Sequence, residues 1–161
     1  MVTEPISIRR ATSDDIPFLR AMIWEAVLAS PSFIEAHQGL DALVQGETER
    51  WRSWQPQADP AFVAEDAARR KLGAITLRPH PSPDGKGWQL GLGVEGHVRY
   101  RGIGRQLLEE AISHLRALSA PYLTLFVDES NAPAIALYRS TGFVDIGEEE
   151  SGVREMRLSL Q

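Results

Sequence analysis

The stretch that decides the fold is residues 99–105, with the sequence RYRGIGR, which lies between two segments of contrasting pattern. Before it, Trp88–Val94 alternates in polarity, with Leu90, Leu92 and Val94 on one side, as a strand does. After it, apolar residues recur at helical spacing: Leu107, Leu108, Ala111, Ile112, Leu115 and Leu118. The stretch therefore predicts a connection that leads from a strand into the first turn of a long helix.

This connection has the composition of an anion-binding site. Gly102 and Gly104 lack a Cβ, so the backbone there can turn tightly and approach a ligand closely. The first N–H groups of the helix have no partner within the helix and lie at its positive end, which suits a phosphate. Arg99, Arg101 and Arg105 add three cations within seven residues. A capped helix that begins in a solvated basic turn explains the same residues, so this motif alone leaves both interpretations open.

A second stretch, residues 131–143 with the sequence NAPAIALYRSTGF, follows a strand predicted at Tyr122–Val127. Asn131 is suited to cap a short helix over residues 131–140. Together the two stretches resemble the GNAT superfamily of acyl-CoA-dependent N-acyltransferases. Residues 94–108 resemble its pyrophosphate motif, R-x-x-G-x-G, and residues 131–143 resemble its segment N-x-x-A-x-x-L-Y-x-x-x-G-F position by position. The resemblance follows the order of elements over nearly the whole chain and is specific between about residues 90 and 143.

The remaining segments complete an α/β pattern. Further strands are predicted at Ile6–Arg9, Ala61–Glu65, Leu72–Arg78, Phe143–Ile146 and Arg154–Leu160. Further helices are predicted from Ile16 to Val27, where Ser30-Pro31 ends the run, and from Leu40 to Trp54. The resemblance implies a mixed, mostly antiparallel twisted sheet of about seven strands flanked by four helices, with a splayed central strand pair. We expect one domain of this kind over residues 1–161.

Composition excludes several classes of protein. The 161 residues include no cysteine, which rules out disulfide frameworks, cysteine-ligated metals and a cysteine nucleophile. The net charge of −5 argues against nucleic acid as a partner, and no apolar run is long enough to span a bilayer. The histidines lack the spacing of a metal site: they are His37, His80, His97 and His114. We therefore expect a soluble, cytoplasmic protein that binds no metal, nucleic acid or membrane.

Gly91, Gly93 and Gly96 form a literal G-x-G-x-x-G. A dinucleotide site needs that motif in the turn between a strand and a helix, whereas these glycines lie within and just after a strand. Glycine inside a strand more often marks a bulge or a close approach of the backbone by a ligand. We therefore interpret these glycines as close-approach positions and not as a nucleotide site.

The resemblance implies acetyl-CoA as the cofactor. The amides at the start of the helix would hold its pyrophosphate, assisted by arginines, and the edge of the splayed strand would hold its pantetheine arm. The implied cofactor-binding residues are Leu92, Val94, Arg99, Arg101, Gly102, Ile103, Gly104, Arg105 and Asn131. Tyr138 matches the family tyrosine that donates a proton to the departing sulfur, with packing against the sheet as its alternative role. A phenol pKa near 10 keeps this group protonated at neutral pH.

The general base is where the chain departs from the family pattern. Several relatives carry a glutamate early in the strand before the pyrophosphate motif, whereas this chain has Trp88-Gln89-Leu90 there. The replacements that remain open are Glu25, Glu95, His97, Asp128 and a chain of water molecules. An amine that arrives already neutral from bulk solvent needs no dedicated base.

We therefore expect an N-acetyltransferase that moves an acetyl group from acetyl-CoA to a primary amine by direct transfer in a ternary complex. The alternative is a non-catalytic acyl-CoA-binding regulatory module of the same fold. The acceptor, a small-molecule or peptide amine, is expected to meet the two N-terminal helices, residues 79–87 and the final hairpin turn. Trp24, Phe33, Trp51 and Trp54 either wall that cleft or fill the core. A homodimer and the use of longer acyl-CoAs stay open.

Overall fold

Seven short runs of apolar or alternating residues form one sheet in the computed structural model, which describes residues 5–36, 38–80, 85–96, 102–149 and 152–161. The strands are β1 (Ser7–Arg10), β2 (Ala61–Glu65), β3 (Lys71–Pro79), β4 (Trp88–Val94), β5 (Tyr122–Asp128), β6 (Val144–Glu149) and β7 (Val153–Ser159). The α-helices within these ranges are α1 (Ile16–Leu28), α2 (Pro31–Ala36), α3 (Leu40–Arg52), α4 (Ile103–Ala117) and α5 (Ala132–Ser140). Each predicted strand is therefore present.

The sheet has the strand order β1-β2-β3-β4-β5-β7-β6. Neighbouring strands are antiparallel except for β4 and β5, which run parallel. Two parallel strands need a crossover connection, and α4 supplies it. The prediction of a mixed, mostly antiparallel seven-stranded sheet is confirmed.

The parallel strands β4 and β5 separate soon after they meet. Among the described residues, their register contains only the pairs Trp88–Leu123 and Gln89–Thr124. In contrast, β4 pairs with β3 along its whole length, as far as Val94. The edge of β4 beyond Gln89 therefore borders a gap instead of a strand, and the predicted splayed pair is confirmed.

Helices cover both faces of the sheet. On one face α4 buries Ile103, Leu107, Leu108, Ala111, Ile112 and Leu115. On the other face α1 and α3 enclose a smaller core that includes Leu19, Met22, Trp51 and Trp54. A Cβ on Gly93 would lie 2.9 Å from the backbone oxygen of Met22, so α1 crosses β4 too closely for a side chain there. We expected a ligand or a bulge at the strand glycines, whereas the element that approaches Gly93 is helix α1.

One helix, α2, was not predicted from the sequence. The first helix ends before Ser30-Pro31, as predicted, but α2 begins immediately at Pro31. The Ser30 hydroxyl accepts a hydrogen bond from the Phe33 backbone N–H at 3.2 Å, which is an N-cap contact. Proline is well suited to the first position of a helix because that position needs no N–H donor. The same two residues thus stop α1 and start α2.

One buried carboxylate links β1, β3 and the start of α1. Asp15 is 1% exposed and accepts a hydrogen bond from each terminal nitrogen of Arg9 at 2.8 Å. It also contacts Lys71 Nζ at 2.8 Å and accepts from the Thr12 backbone N–H at 2.8 Å. These partners, Arg9 first among them, hold the pKa of Asp15 well below its usual range.

We expect Asp15→Asn to lower the free energy of unfolding by about 3 kcal/mol at neutral pH, because it removes the carboxylate that Lys71 contacts and leaves Arg9 with Glu65 alone. A carboxylate whose pKa is lowered by folding stabilises the protein above its unfolded pKa near 4, and this stability is lost as the pH falls toward the folded value. The difference in urea stability between wild type and variant should therefore shrink below about pH 4. Asp14→Asn, at an exposed neighbour, is the control. A difference that stays constant down to about pH 3 would contradict this role of Asp15.

Candidate active site

The gap between β4 and β5 opens into a cleft of about 1010 Å³. The first turn of α4 and helix α5 line one side, α1, α2 and α3 line the other, and residues 89–94 of β4 lie between them. The predicted site residues that line the cleft are Leu92, Val94, Gly102, Ile103, Gly104, Arg105, Asn131 and Tyr138, with the base candidates Glu25 and Asp128. Residues far apart in the sequence therefore meet at one cavity.

The first turn of α4 has the backbone of an anion site. Gly102 has a φ of +78°, in the left-handed region that favours glycine, and a Cβ there would meet nothing within 4 Å. The amide of Gln106 bonds back to the Gly102 oxygen at 3.1 Å, so the three helical amides before it have no partner within the helix. These amides lie at the positive end of a 15-residue helix. The predicted contacts Arg99 and Arg101 lie outside the described residues.

The first turn of α4 lies close to the last turn of α5 at the edge of the cleft. A Cβ on Gly104 would lie 3.3 Å from Leu137 Cδ2, so glycine allows this approach. Arg105 Nη2 donates a hydrogen bond to the Ser140 hydroxyl at 2.6 Å. Asn131 Oδ1 accepts a bond of 3.3 Å from a backbone N–H in the first turn of α5, which confirms the predicted cap.

Tyr138 contacts the core and also lines the cleft. The residue is 7% exposed, and its ring centre lies 5.8 Å from that of Phe143. Burial raises the pKa of Tyr138 to about 12, because the charged phenolate is poorly solvated there. The phenol therefore keeps its proton across the neutral range. Packing and proton donation are compatible roles for this side chain.

Asp128 is a firmly held carboxylate in the cleft. It accepts hydrogen bonds from the hydroxyls of Ser130 and Ser30, each at 2.6 Å. These bonds, that of Ser130 first, lower the pKa of Asp128. The group is therefore charged at neutral pH and is a weak proton acceptor.

The other base candidates are dispersed. Glu25 lines the cleft from α1, whereas Glu95 does not line it. His97 lies outside the described residues. Gln89, which stands where several relatives carry a glutamate, lines the same cavity.

The aromatic residues of the N-terminal helices divide between two roles. Trp24 and Phe33 line the cleft. Trp51 and Trp54 are each 6% exposed and belong to the core beneath α1 and α3. Two of these aromatic residues therefore line the cleft, and the other two fill the core.

Three charged residues of the cleft were missed by the sequence analysis: Glu47 and Arg50 on α3, and Arg78 near the end of β3. On α3, Leu43, Glu47 and Arg50 follow each other at helical spacing, and this signal could have placed them on one face. Arg78 lies opposite Gln89 of β4. That neighbour depends on the register of two strands, which the local pattern does not reveal.

Two other kinds of site are absent from the described part of the chain. No three histidine, aspartate or glutamate side chains there are placed to hold a metal ion. No helix there has the length and apolar character needed to cross a membrane.

Comparisons with known sequences show the family of this chain. The family model described as the acetyltransferase (GNAT) family matches residues 23–143, and the chain belongs to this family. Mycothiol acetyltransferase from Thermomonospora curvata is 40% identical over 96 residues, which cover 58% of this chain and 31% of that protein. The same-named protein from Segniliparus rotundus is 35% identical over 111 residues, which cover 65% and 42%. The chain thus spans about a third of the length of the curated relatives it matches.

Solved acetyltransferase structures share the fold. Ribosomal-protein-alanine N-acetyltransferase from Brucella melitensis has a TM-score of 0.70 and 28% identity, with 95% of this chain and 99% of that chain covered. The structure of yncA from Salmonella typhimurium with its cofactor acetyl-CoA has a TM-score of 0.76 and 19% identity, with 98% and 95% covered. At 19% identity, the similarity to yncA establishes the fold and no more.

We expect Tyr138 to remain protonated at about pH 11 in the folded protein, because its pKa is raised to about 12. The protein has three tyrosines. The absorbance of tyrosinate is therefore followed against pH in wild type and in Tyr138→Phe, and the difference between the two curves gives the ionisation of Tyr138. Because folding disfavours the charged form, Tyr138 leaves stability unchanged below about pH 10 and lowers it as the pH rises from about 10 to 12. Ionisation near pH 10 in the folded protein would show instead that the ring is solvated.

Proposed function

We propose that this protein is an N-acetyltransferase that moves an acetyl group from acetyl-CoA to a primary amine by direct transfer in a ternary complex. The observation that supports this best is the gap between β4 and β5, which opens between the first turn of α4 and Tyr138. Membership of the GNAT family and the acetyltransferase names of the relatives support the same reaction. A cytoplasmic location and a homodimeric state stay predictions.

The first turn of α4 fits the pyrophosphate of acetyl-CoA. Its amides lie at the positive end of the helix, and Gly102 leaves open space beside them. Arg105 adds an exposed cation at the same turn. A polyanion is thereby attracted to one point of a chain whose net charge is −5. We propose the same role for Arg99 and Arg101.

The free edge of β4 fits the pantetheine arm. Beyond Gln89 the strand has no β5 partner on that side, and its peptide groups need other hydrogen-bond partners. An extended arm with amide groups can bond to such an edge as an added strand does. Leu92 and Val94 lie on this segment and line the cleft. A β4 N–H directed at the thioester carbonyl would stabilise the charge that develops on its oxygen.

Tyr138 is the proposed proton donor. Acetyl-CoA supplies a thioester whose carbon–sulfur bond breaks as the amine nitrogen bonds to the acetyl carbon, so the electron pair leaves with sulfur. Tyr138 holds a proton on Oη at neutral pH and gives it to that sulfur. The poorly solvated surroundings raise the pKa of the phenol, and they disfavour the charged thiolate as well. The pKa values of the phenol and of the coenzyme A thiol are therefore raised together, and proton transfer between them stays feasible. The nitrogen releases one proton to solvent, and Tyr138 regains one.

Asp128 is better suited to attract the acceptor than to deprotonate it. Its lowered pKa keeps it negative but makes it a weak base. We therefore propose that Asp128 draws the ammonium form of the acceptor into the cleft and that the proton leaves through water. Glu25 is the other predicted carboxylate on the cavity wall that can assist. Glu95 and His97 stay open as candidates.

The alternative function is a non-catalytic acyl-CoA-binding regulatory module, and Gln89 in the place of the family glutamate favours it. One assay separates the two functions. The protein is incubated with acetyl-CoA and a panel of polyamines, amino acids, aminoglycosides and N-terminal peptides, and free thiol is followed over time. Thiol release that depends on an acceptor supports the transferase. Calorimetric binding of acetyl-CoA without release on the whole panel supports the module.

Tyr138→Phe should lower kcat by about 100-fold, the lower end of the range for general acid catalysis. Phenylalanine preserves the packing on Phe143 and removes only the hydroxyl, so the KM for acetyl-CoA and the melting temperature should change little. The control is Tyr122→Phe, which removes a hydroxyl that contacts His80 Nδ1 at 3.1 Å outside the cleft. A kcat for Tyr138→Phe equal to that of wild type would remove Tyr138 from the chemistry.

Gly102→Ala should weaken coenzyme A binding by about 10-fold, because an alanine held in the left-handed region costs about 1–2 kcal/mol and the turn relaxes away from its anion-binding shape. Isothermal titration calorimetry measures this directly. Gly147→Ala is the matched control, since a Cβ there also meets nothing within 4 Å and the residue lies on β6. Equal affinities for wild type and Gly102→Ala would refute the proposed phosphate site.

A further inference from the structure

We infer that the acceptor carries a carboxylate in addition to its amine, and that Arg78 binds this carboxylate at the end of the cleft away from α4. The inference rests on the proposed function, because it concerns the second substrate of the same site. It selects amine-bearing carboxylic acids over polyamines and aminoglycosides, whose charged groups are all cationic.

Arg78 forms no salt bridge within the described residues, although Glu47 attracts it from a greater distance. It pairs with Gln89 in the register of β3 and β4, and Gln89 pairs with Thr124 of β5, so the three residues form a row across the sheet. The side chain lines the cleft. Within the described ranges, no carboxylate forms an ion pair with its guanidinium. Its planar set of N–H donors is therefore available to a carboxylate, whose two oxygens match that geometry.

A second guanidinium makes this end of the cleft more positive. Arg50 lines the same cavity and is held by a 3.5 Å contact with Glu47 and by stacking on Trp51 at 5.0 Å. Glu47 also accepts a bond from Trp51 Nε1 at 2.9 Å, so its carboxylate is already engaged on α3. Burial lowers the pKa of Arg78, and repulsion by the nearby Arg50 lowers it further, against the attraction of Glu47. An anion bound beside Arg78 relieves this repulsion.

Carboxylates lie farther along the cleft. Asp128 and Glu25 both line it, and Asp128 follows Thr124, the β5 residue in the row of Arg78, by four positions. At about 3.3 Å per residue these two levels of β5 are about 13 Å apart, and Arg78 lies two strands, about 10 Å, to the side on β3. A zwitterion can thus place its ammonium toward Asp128 and its carboxylate toward Arg78. A polyamine would place a second cation against Arg78 and Arg50.

The anion expected at Arg78 is distinct from the phosphates of the cofactor. Arg78 lies beside the first residues of β4, because it pairs with Gln89. The first turn of α4, the proposed phosphate site, follows the other end of that strand. Loss of Arg78 should therefore leave coenzyme A binding unchanged, which separates the two anion sites by experiment.

The test compares ω-amino acids, from glycine to 6-aminohexanoate, with the carboxamide of each. For at least one pair, wild type should show a kcat/KM about 10- to 100-fold higher on the acid, the scale of a hydrogen bond between charged groups. Arg78→Met should abolish this preference and leave turnover of the carboxamide intact. Arg78→Lys, which keeps the charge without the planar donor set, should retain part of it. Arg116→Met, at an exposed position on α4, is the control.

Binding without turnover gives a second readout. The same acids, without acetyl-CoA, should raise the melting temperature of wild type and not of Arg78→Met. The inference is overturned by equal kcat/KM on acids and carboxamides, by an acid preference that survives in Arg78→Met, or by weaker coenzyme A binding in that variant. If the inference fails but carboxamides or polyamines are acetylated, the proposed acetyltransferase function is still supported. If no acceptor reacts although acetyl-CoA binds, the proposed function fails, and the melting temperatures alone support or overturn the inference.

Discussion

A strand in the middle of a sheet that loses its partner on one side must satisfy its peptide groups in another way, and β4 is in this position. Its pairing with β5 stops at Gln89–Thr124, while β3 holds the opposite edge as far as Val94. Helix α1 packs closely against Gly93 on one face of the sheet. The strand therefore follows β3 and diverges from β5. The cleft, the approach to the first turn of α4 and the position of Tyr138 at the same cavity all depend on this divergence.

Charge in the cleft is sorted by position. The chain carries a net charge of −5, yet the cavity has cations at both ends: Arg105 at the start of α4, and Arg50 with Arg78 beside the start of β4. Asp128 is held in place by serine hydroxyls and keeps its negative charge. Fixed charges along a cleft steer a charged ligand more than the same charges do on an open surface. The placement of these charged residues therefore affects how each substrate is oriented in the cleft. The net charge of the chain affects its solubility and the rate at which charged substrates reach it.

The features that could be predicted from the sequence are those whose signal is local. The apolar stripe of α4, the glycine turn before it and the segment around Tyr138 each lie in one continuous stretch, so their spacing alone predicted both the elements and their junctions. The helix α2 was not predicted because Ser30-Pro31 ends α1 and also begins α2, and only the first of these roles was recognised. The meeting of Arg78 with the cleft was not predictable in this way, since it depends on strand register and on where α3 lies. The raised pKa of Tyr138 likewise comes from burial, which is a property of the whole fold.

The two titratable groups that face the proposed reaction are displaced in opposite directions. Burial raises the pKa of Tyr138 to about 12, and hydroxyl donors lower that of Asp128. Neither group changes its charge across the neutral range, so the donor stays protonated and the anchoring carboxylate stays ionised. The proton that does move at neutral pH is then the one on the acceptor amine. On this argument the pH dependence of transfer belongs chiefly to the acceptor, and a cleft with Gln89 in place of a glutamate suits an amine that reaches the thioester already neutral.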